Sequence, residues 1–316
     1  MSRLTRIIAV VALGGCASAG ARSGTPNGEA SVPQSPVPNP PSRAAPPLGY
    51  LVVVGGGPIP DVINRRFVDL AGGAGKARIV VLPMASESGA ESGAQKAADY
   101  AKLGAQAVSL DLARADAGAD SVARILGQAT GIWFPGGDQN RLTAAILGTA
   151  VLDSIRSRFR HGAVVGGTSA GAAVMSDPMI SGDERRPGGT RPPTDSSDGW
   201  MTIDRDDVVL VPGFGLLPPN VTVDQHFLRR RRHNRLISVV LERPNFVGIG
   251  IDESTALVVP PSGAWEIIGA SQAVIYDARQ ATVTAGRATL GTTGVHLHVL
   301  PAGSRFDFAS GKASLP

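Results

Sequence analysis

Cysteine is nearly absent: of 316 residues only Cys16 carries a thiol, so no disulfide framework holds this chain and no cysteine set is present to bind zinc. Aromatic residues make up 4% and charged residues 18% of the sequence, and lysine occurs only at Lys76, Lys96, Lys102 and Lys312. The formal net charge of +4 falls to about +2 once Arg3 and Arg6 are set aside. That leaves no electrostatic case for nucleic acid as a partner. The apolar run Ile7 to Leu13 is too short to span a bilayer. What the chain has instead is 43% hydrophobic residues, 40 Gly and 24 Pro. This is enough to build one large globular domain or two small ones with a core that needs no covalent staple.

Residues 1–16 read as a targeting segment: Arg3 and Arg6, then a short apolar stretch, then Leu13-Gly14-Gly15-Cys16. Residues 1–15 have the layout of a lipoprotein signal peptide, in which cleavage before Cys16 leaves the thiol to carry lipid. The expected result is an exported protein, periplasmic or at the cell surface, anchored to a membrane and not embedded in it. Residues 16–46 are Ala, Gly, Ser and Pro with almost no bulky apolar side chains, a composition that cannot offset the entropy of ordering, so they read as a tether.

From residue 47 to the end the pattern is that of a folded body. Tyr50-Leu51-Val52-Val53-Val54 is a buried strand ending in Gly55-Gly56-Gly57, and residues 60–71 carry apolar side chains at helical spacing. Further strands are expected at Ala77–Pro83, Ala107–Leu112, Ala129–Phe134 and Ala163–Gly166. Helices are expected up to Lys102, over Asp120–Leu126 and over Arg141–Arg160. Alternating strands and helices imply an α/β fold with a mostly parallel sheet and helices on both faces. Arg185 to Gly199 reads as a polar excursion loop. From about residue 245 short strands separated by Gly and Pro predict a β-rich C-terminal extension packed on the same sheet.

Gly167-Thr168-Ser169-Ala170-Gly171 follows the fifth strand and opens a helix, which is the layout of a nucleophile elbow. Glycines flank the serine because the sharp turn brings backbone too close for a Cβ. Ser169 then stands at a helix N-terminus, where the Ala170 amide can face a developing oxyanion; a structural Gly-rich turn is the alternative. The base must be one of five histidines. His161 begins the strand before the elbow, His296 and His298 alternate on a C-terminal strand, and His233 lies in an arginine run as a solvated neighbour. His226, in Val223-Asp224-Gln225-His226-Phe227, is the best placed, a satisfied core histidine being its alternative. The orienting acid is sought between Ser169 and His226, among Asp177, Asp183, Glu184, Asp195, Asp198, Asp204, Asp206 and Asp207. Glu184 is favoured, although spacing does not separate it from Asp183.

Pro135-Gly136-Gly137-Asp138-Gln139, at the end of the fourth strand, suits a second oxyanion donor at Gly137, with Asp138 and Gln139 adding side-chain hydrogen bonding; it equally suits a plain turn with a helix N-cap at Asp138. Arg229, Arg230, Arg231, Arg232 and Arg235 follow the histidine. If helical, they place Arg231 and Arg235 on one face, with one or two guanidinium groups turned to the cleft as a fork for a substrate carboxylate. No cofactor and no metal site are implied.

Four segments together resemble the cyanophycinase and dipeptidase E group of serine peptidases, peptidase family S51. They are Phe134–Gln139, Gly167–Ala172, Asp224–Phe227 with Arg230, Arg232 and Arg235, and Gly250-Ile251-Asp252-Glu253-Ser254-Thr255-Ala256. The resemblance covers roughly residues 49–300. It implies a flavodoxin-like relative of the class I glutamine amidotransferase fold, with Ser169 as nucleophile, His226 as base, Gly137 and Ala170 as oxyanion donors and Glu184 as third member. Asp138, Gln139, Asp224, Gln225, Arg230, Arg232 and Arg235 would shape the substrate pocket. The implied substrate is a peptide or polymer rich in Asp and Arg, foremost cyanophycin (multi-L-arginyl-poly-L-aspartate), cut to β-Asp-Arg; a homodimer is compatible. The other readings are a dipeptidase E-like aspartyl dipeptidase, an α/β-hydrolase esterase and a non-catalytic peptide-binding lipoprotein. An esterase of that fold would carry its histidine near the chain end, whereas about ninety residues follow His226.

Overall fold

The computed structural model describes residues 48–186, 189–191, 200, 202–243 and 245–316. The expected signal segment, Cys16 and the tether lie outside the described residues, as does most of the excursion loop. In chain order the first half runs β1 (Leu51–Val54), α1 (Asp61–Leu70), β2 (Arg78–Val81), α2 (Gly89–Lys102), β3 (Gln106–Ser109), α3 (Asp120–Gly127), β4 (Gly131–Phe134), α4 (Gln139–Ile146), α5 (Ala150–Arg160), β5 (Val164–Thr168) and α6 (Ala170–Ala173). The stretch expected as one helix over Arg141–Arg160 is two, because Gly148 adopts φ +72°, which a helix does not allow. His161 caps the end of α5 and does not begin β5, its ring Nδ1 lying 2.7 Å from the Ser157 carbonyl.

The second half contributes β6 (Met179–Arg186), β7 (Gly189–Arg191), β8 (Val208–Val211), β9 (Val221–Asp224), α7 (His233–Glu242), β10 (Val247–Ile251), β11 (Thr255–Val259), β12 (Trp265–Gly269), β13 (Gln272–Asp277), a small ribbon of β14 (Thr282–Val283) and β15 (Thr292–Thr293), β16 (His296–Pro301), β17 (Arg305–Asp307) and β18 (Lys312–Ser314). The start of the expected loop is thus strand: β6 and β7 pair antiparallel, Glu184 opposite Arg191.

The main sheet has the order β18-β17-β12-β11-β1-β5-β4-β2-β3. Its core from β1 to β3 is all parallel, while β11, β12, β17 and β18 extend it antiparallel. The C-terminal strands do not all join it, as one extension on one sheet would require. β9, β10, β13 and β16 form a separate four-stranded sheet in which β9 and β10 run parallel. Side-chain alternation along β1 explains the layering. Val52 and Val54 pack with Ile63 and Phe67 of α1 and Tyr100 of α2. Leu51 and Val53 face the opposite side, with Leu142, Ile155, Val223 and Ile249, so α4, α5 and the second sheet cover that face together.

Trp133 is fully buried on the α1–α2 face, its ring 4.9 Å from Phe67 and 5.6 Å from Tyr100. Trp133→Ala would leave a cavity that strands and helices cannot close, with an expected loss of about 3–5 kcal/mol. Urea unfolding should show a lower midpoint with unchanged slope.

Candidate active site

Three neighbouring parallel strands, β1, β5 and β4, end side by side, so the turns that leave them share one edge of the sheet. At the end of β5, Ser169 adopts φ 53° and ψ −113°, a conformation an L-residue holds only when its surroundings force it. Here its amide donates to the Val54 carbonyl at 3.0 Å while its own carbonyl starts α6. A Cβ on Gly167 would lie 2.5 Å from the Gly171 carbonyl, and one on Gly171 would lie 2.1 Å from that of Phe134. Both glycines are therefore needed for the turn to close.

His226 arrives from the other sheet, just past β9, with φ 49° and its amide bonded to the Gly55 carbonyl at 2.6 Å. Its Nε2 lies 2.8 Å from Ser169 Oγ, across a sequence separation of 57 residues. Its ring rests on the turn after β1: a Cβ on Gly56 would sit 2.3 Å from Cε1 of the imidazole. The Nδ1 side of the ring is occupied by Glu253, whose Oε1 is 2.6 Å away. Glu253 stands on the turn Asp252–Ser254 between β10 and β11, a turn that passes from the four-stranded sheet to the main one. The acid paired with the imidazole is thus Glu253 and neither Glu184 nor Asp183. Glu253 lies beyond His226 in the sequence, yet β9 and β10 run parallel and deliver their carboxyl ends, and the residues that follow them, to the same place. The signal was an acidic pair, Asp252-Glu253, directly after the buried run Val247–Ile251.

Gly136 lies beside the nucleophile, and Gly137 follows it in the chain. A Cβ on Gly136 would be 3.4 Å from Ser169 Cβ, and Gly137, at φ +140°, passes so close to the Ala85 carbonyl that only glycine fits. Ala170 is the first residue of α6, where no preceding turn takes its amide. Asp138 is the N-cap of α4, accepting the Asn140 amide at 2.8 Å. Gln139 is buried and directs its side-chain amide to the Ile180 and Ser181 carbonyls, bracing β6.

The arginines divide in two. Asp224 and Arg235 are 0% and 1% exposed and face one another in a bidentate pair, Nε 2.6 Å from Oδ2. The guanidinium also stacks 4.6 Å over the Trp200 ring. The Asp224 and Arg235 side chains are thus both buried and bonded to each other. Residues 229–232 form turns and α7 begins only at His233, so Arg231, at φ 51°, does not share a helical face with Arg235. Arg230 is exposed, and Arg232 is mostly buried, its Nη1 bonded to the Gln225 carbonyl at 2.7 Å. Burial and the charges of Arg235 and Arg230 lower the Arg232 pKa to about 9, against the pull of Asp224. Gln225 is buried, with its Oε1 lacking a partner among the described residues. His233 is packed and not solvated: its Nδ1 lies 2.7 Å from the Tyr276 hydroxyl and its ring 4.7 Å from Phe227.

A hydroxyl, an imidazole and a carboxylate bonded in this order have the geometry of a hydrolase that works through a covalent acyl intermediate. The profile of peptidase family S51 matches residues 51–267. The chain is 36% identical over 252 residues to a cyanophycinase of Trichormus variabilis, covering 77% of this chain and 79% of that protein. It is 33% identical over 253 residues to a cyanophycinase of Geminocystis herdmanii, covering 78% and 87%. A solved peptidase from an acI-B1 Actinobacterium shares the fold at a TM-score of 0.60 and 22% identity, over 84% of this chain and 98% of that one. The chain belongs to peptidase family S51 and is a peptidase.

Desolvation above all, and then the charges of Arg230 and Arg232, lower the His226 pKa from its usual 6.5, against the hydrogen bond that Nδ1–H donates to Glu253 and the charge of that carboxylate. A base must be neutral to take a proton, so activity should persist below pH 6.5 and fall only as pH drops through the lowered value. Arg230→Gln removes one opposing positive charge. The acid limb of kcat/KM should therefore move to higher pH in that variant, as read from the pH–rate profile.

Proposed function

We propose that this chain is a serine exopeptidase that hydrolyses aspartyl peptide bonds, with cyanophycin as its substrate and β-Asp-Arg as its product. The observation that carries the reading is the unbroken chain of two short bonds from Ser169 Oγ through His226 to Glu253. The cyanophycinase relatives and the exposed Arg230 beside the base favour a substrate bearing carboxylates.

In this account His226 Nε2 takes the Ser169 proton as Oγ attacks the aspartyl carbonyl. Glu253 keeps Nδ1 protonated and balances the imidazolium that forms. The tetrahedral oxyanion is met by the amides of Gly137 and Ala170. The imidazolium then protonates the leaving amine, and the C–N bond breaks. Water, activated by the same imidazole, hydrolyses the ester and frees Ser169. Gln225 and Arg232 line the pocket for the acidic side chain, and the residues ahead of the body export the enzyme and anchor it through lipid on Cys16.

Insoluble cyanophycin, β-Asp-Arg and Asp-Leu incubated with the protein should separate the choices by mass spectrometry. β-Asp-Arg released from the polymer supports the proposal; cleavage of Asp-Leu alone favours an aspartyl dipeptidase. Ser169→Ala should keep the fold and lose turnover by at least about a thousandfold, and retained hydrolysis would refute the assignment. Cys16→Ser should move the protein from the membrane fraction to the soluble exported fraction; an unchanged membrane fraction would refute the anchor.

A further inference from the structure

One carboxylate beside the site has no part in the steps above. Asp252 is half-buried at the head of the turn that carries Glu253. Its Oδ1 accepts the backbone amide of Arg229 at 2.9 Å, and its Oδ2 accepts the Ser271 hydroxyl at 2.8 Å. Its own amide donates to the Gln272 carbonyl at 3.1 Å. The Arg229 amide lies in the turn that leaves His226, and the next amide, that of Arg230, returns to the His226 carbonyl at 2.9 Å. A single side chain therefore ties the residue before Glu253 to the backbone just beyond the imidazole, and anchors both to the turn between β12 and β13.

The two loops need such a tie. His226, Arg231 and Ser254 hold φ values of 49°, 51° and 57°, so the backbone on both sides sits in a conformation that persists only where neighbours over-determine it. A carboxylate accepting an amide and a hydroxyl makes charge-assisted bonds, stronger than neutral ones. We propose that Asp252 is a positioning residue that holds the His226 loop and the Glu253 turn in register, so that the imidazole keeps its bonds to Ser169 and Glu253 at once. This rests on the reading of Glu253 as the acid that orients His226.

Asparagine can preserve the arrangement, its Oδ1 accepting from Arg229 and its Nδ2 donating to a Ser271 hydroxyl turned to accept. Alanine offers neither contact. The test measures kcat and KM for Asp252→Ala, Asp252→Asn, Glu253→Gln and the double variant Asp252→Ala/Glu253→Gln, using release of β-Asp-Arg, or whichever peptide the wild type cleaves. Asp252→Ala should lower kcat on the order of ten- to hundredfold with KM within about twofold, as expected of a misplaced catalytic group. Asp252→Asn should recover most of that loss. The double variant should fall within about twofold of Glu253→Gln, because both changes act through one imidazole. Losses that multiply in the double variant, or an Asp252→Ala kcat near wild type beside a crippled Glu253→Gln, overturn the role of Asp252 alone. An unimpaired Glu253→Gln overturns the underlying reading of Glu253. Should Asp252→Ala not fold, Ser271→Ala, which removes one anchor, takes its place under the same double-variant criterion, and an unchanged kcat there overturns the proposal.

Discussion

A hydrogen bond between two sheets organises the site. Ser169 belongs to the end of β5 in the main sheet, and His226 follows β9 in the four-stranded one; neither sheet by itself brings a base to the hydroxyl. The turn Asp252–Ser254 leaves β10 beside the histidine and enters β11, which pairs with β1. Glu253, placed on that crossing, holds the imidazole at 2.6 Å and fixes which nitrogen faces the serine.

The rest of the site is cleared space and stored strain. The turn after β1 contributes no side chain, and that is its use: a Cβ on Gly56 would occupy the place of the imidazole, and one on Gly57 would press on Glu253 at 2.9 Å. Ser169 and His226, the two residues that must meet, both sit at positive φ. Such conformations are held by the surrounding bonds, here from Val54 and Gly55 of the same strand end. The Asp224–Arg235 pair is buried in the same segment as the base, while burial first, and then the charges of Arg230 and Arg232, lower the imidazole's pKa, which favours the neutral form that can accept a proton.

Much of this was legible in the sequence because it depends on local chemistry. The apolar runs at β1, β2, β4 and β5 match buried parallel strands, and Gly167–Gly171 announces a turn that admits only glycine around Ser169. His226 could be singled out by elimination among five histidines. What escaped depends on the pairing of distant strands. Sequence order points to an acid between Ser169 and His226 such as Glu184, yet the parallel pairing of β9 with β10 sets Glu253, 27 residues beyond the histidine, against its ring. The division of the C-terminal strands between two sheets escaped for the same reason, since alternation tells that a segment is a strand and not which partner it takes. The helical face that would join Arg231 to Arg235 does not form: α7 starts only at His233, Arg235 turns inward to Asp224 and Arg230 is exposed.

The most direct test of this account is the downfield proton signal of the His226 Nδ1–H in protein labelled with nitrogen-15 at histidine, compared between Glu253→Gln and Glu184→Gln. The account predicts that the signal of a proton held between imidazole and carboxylate is present in the wild type and in Glu184→Gln and lost in Glu253→Gln. Loss of that signal in Glu184→Gln, with Glu253→Gln unaffected, would contradict it.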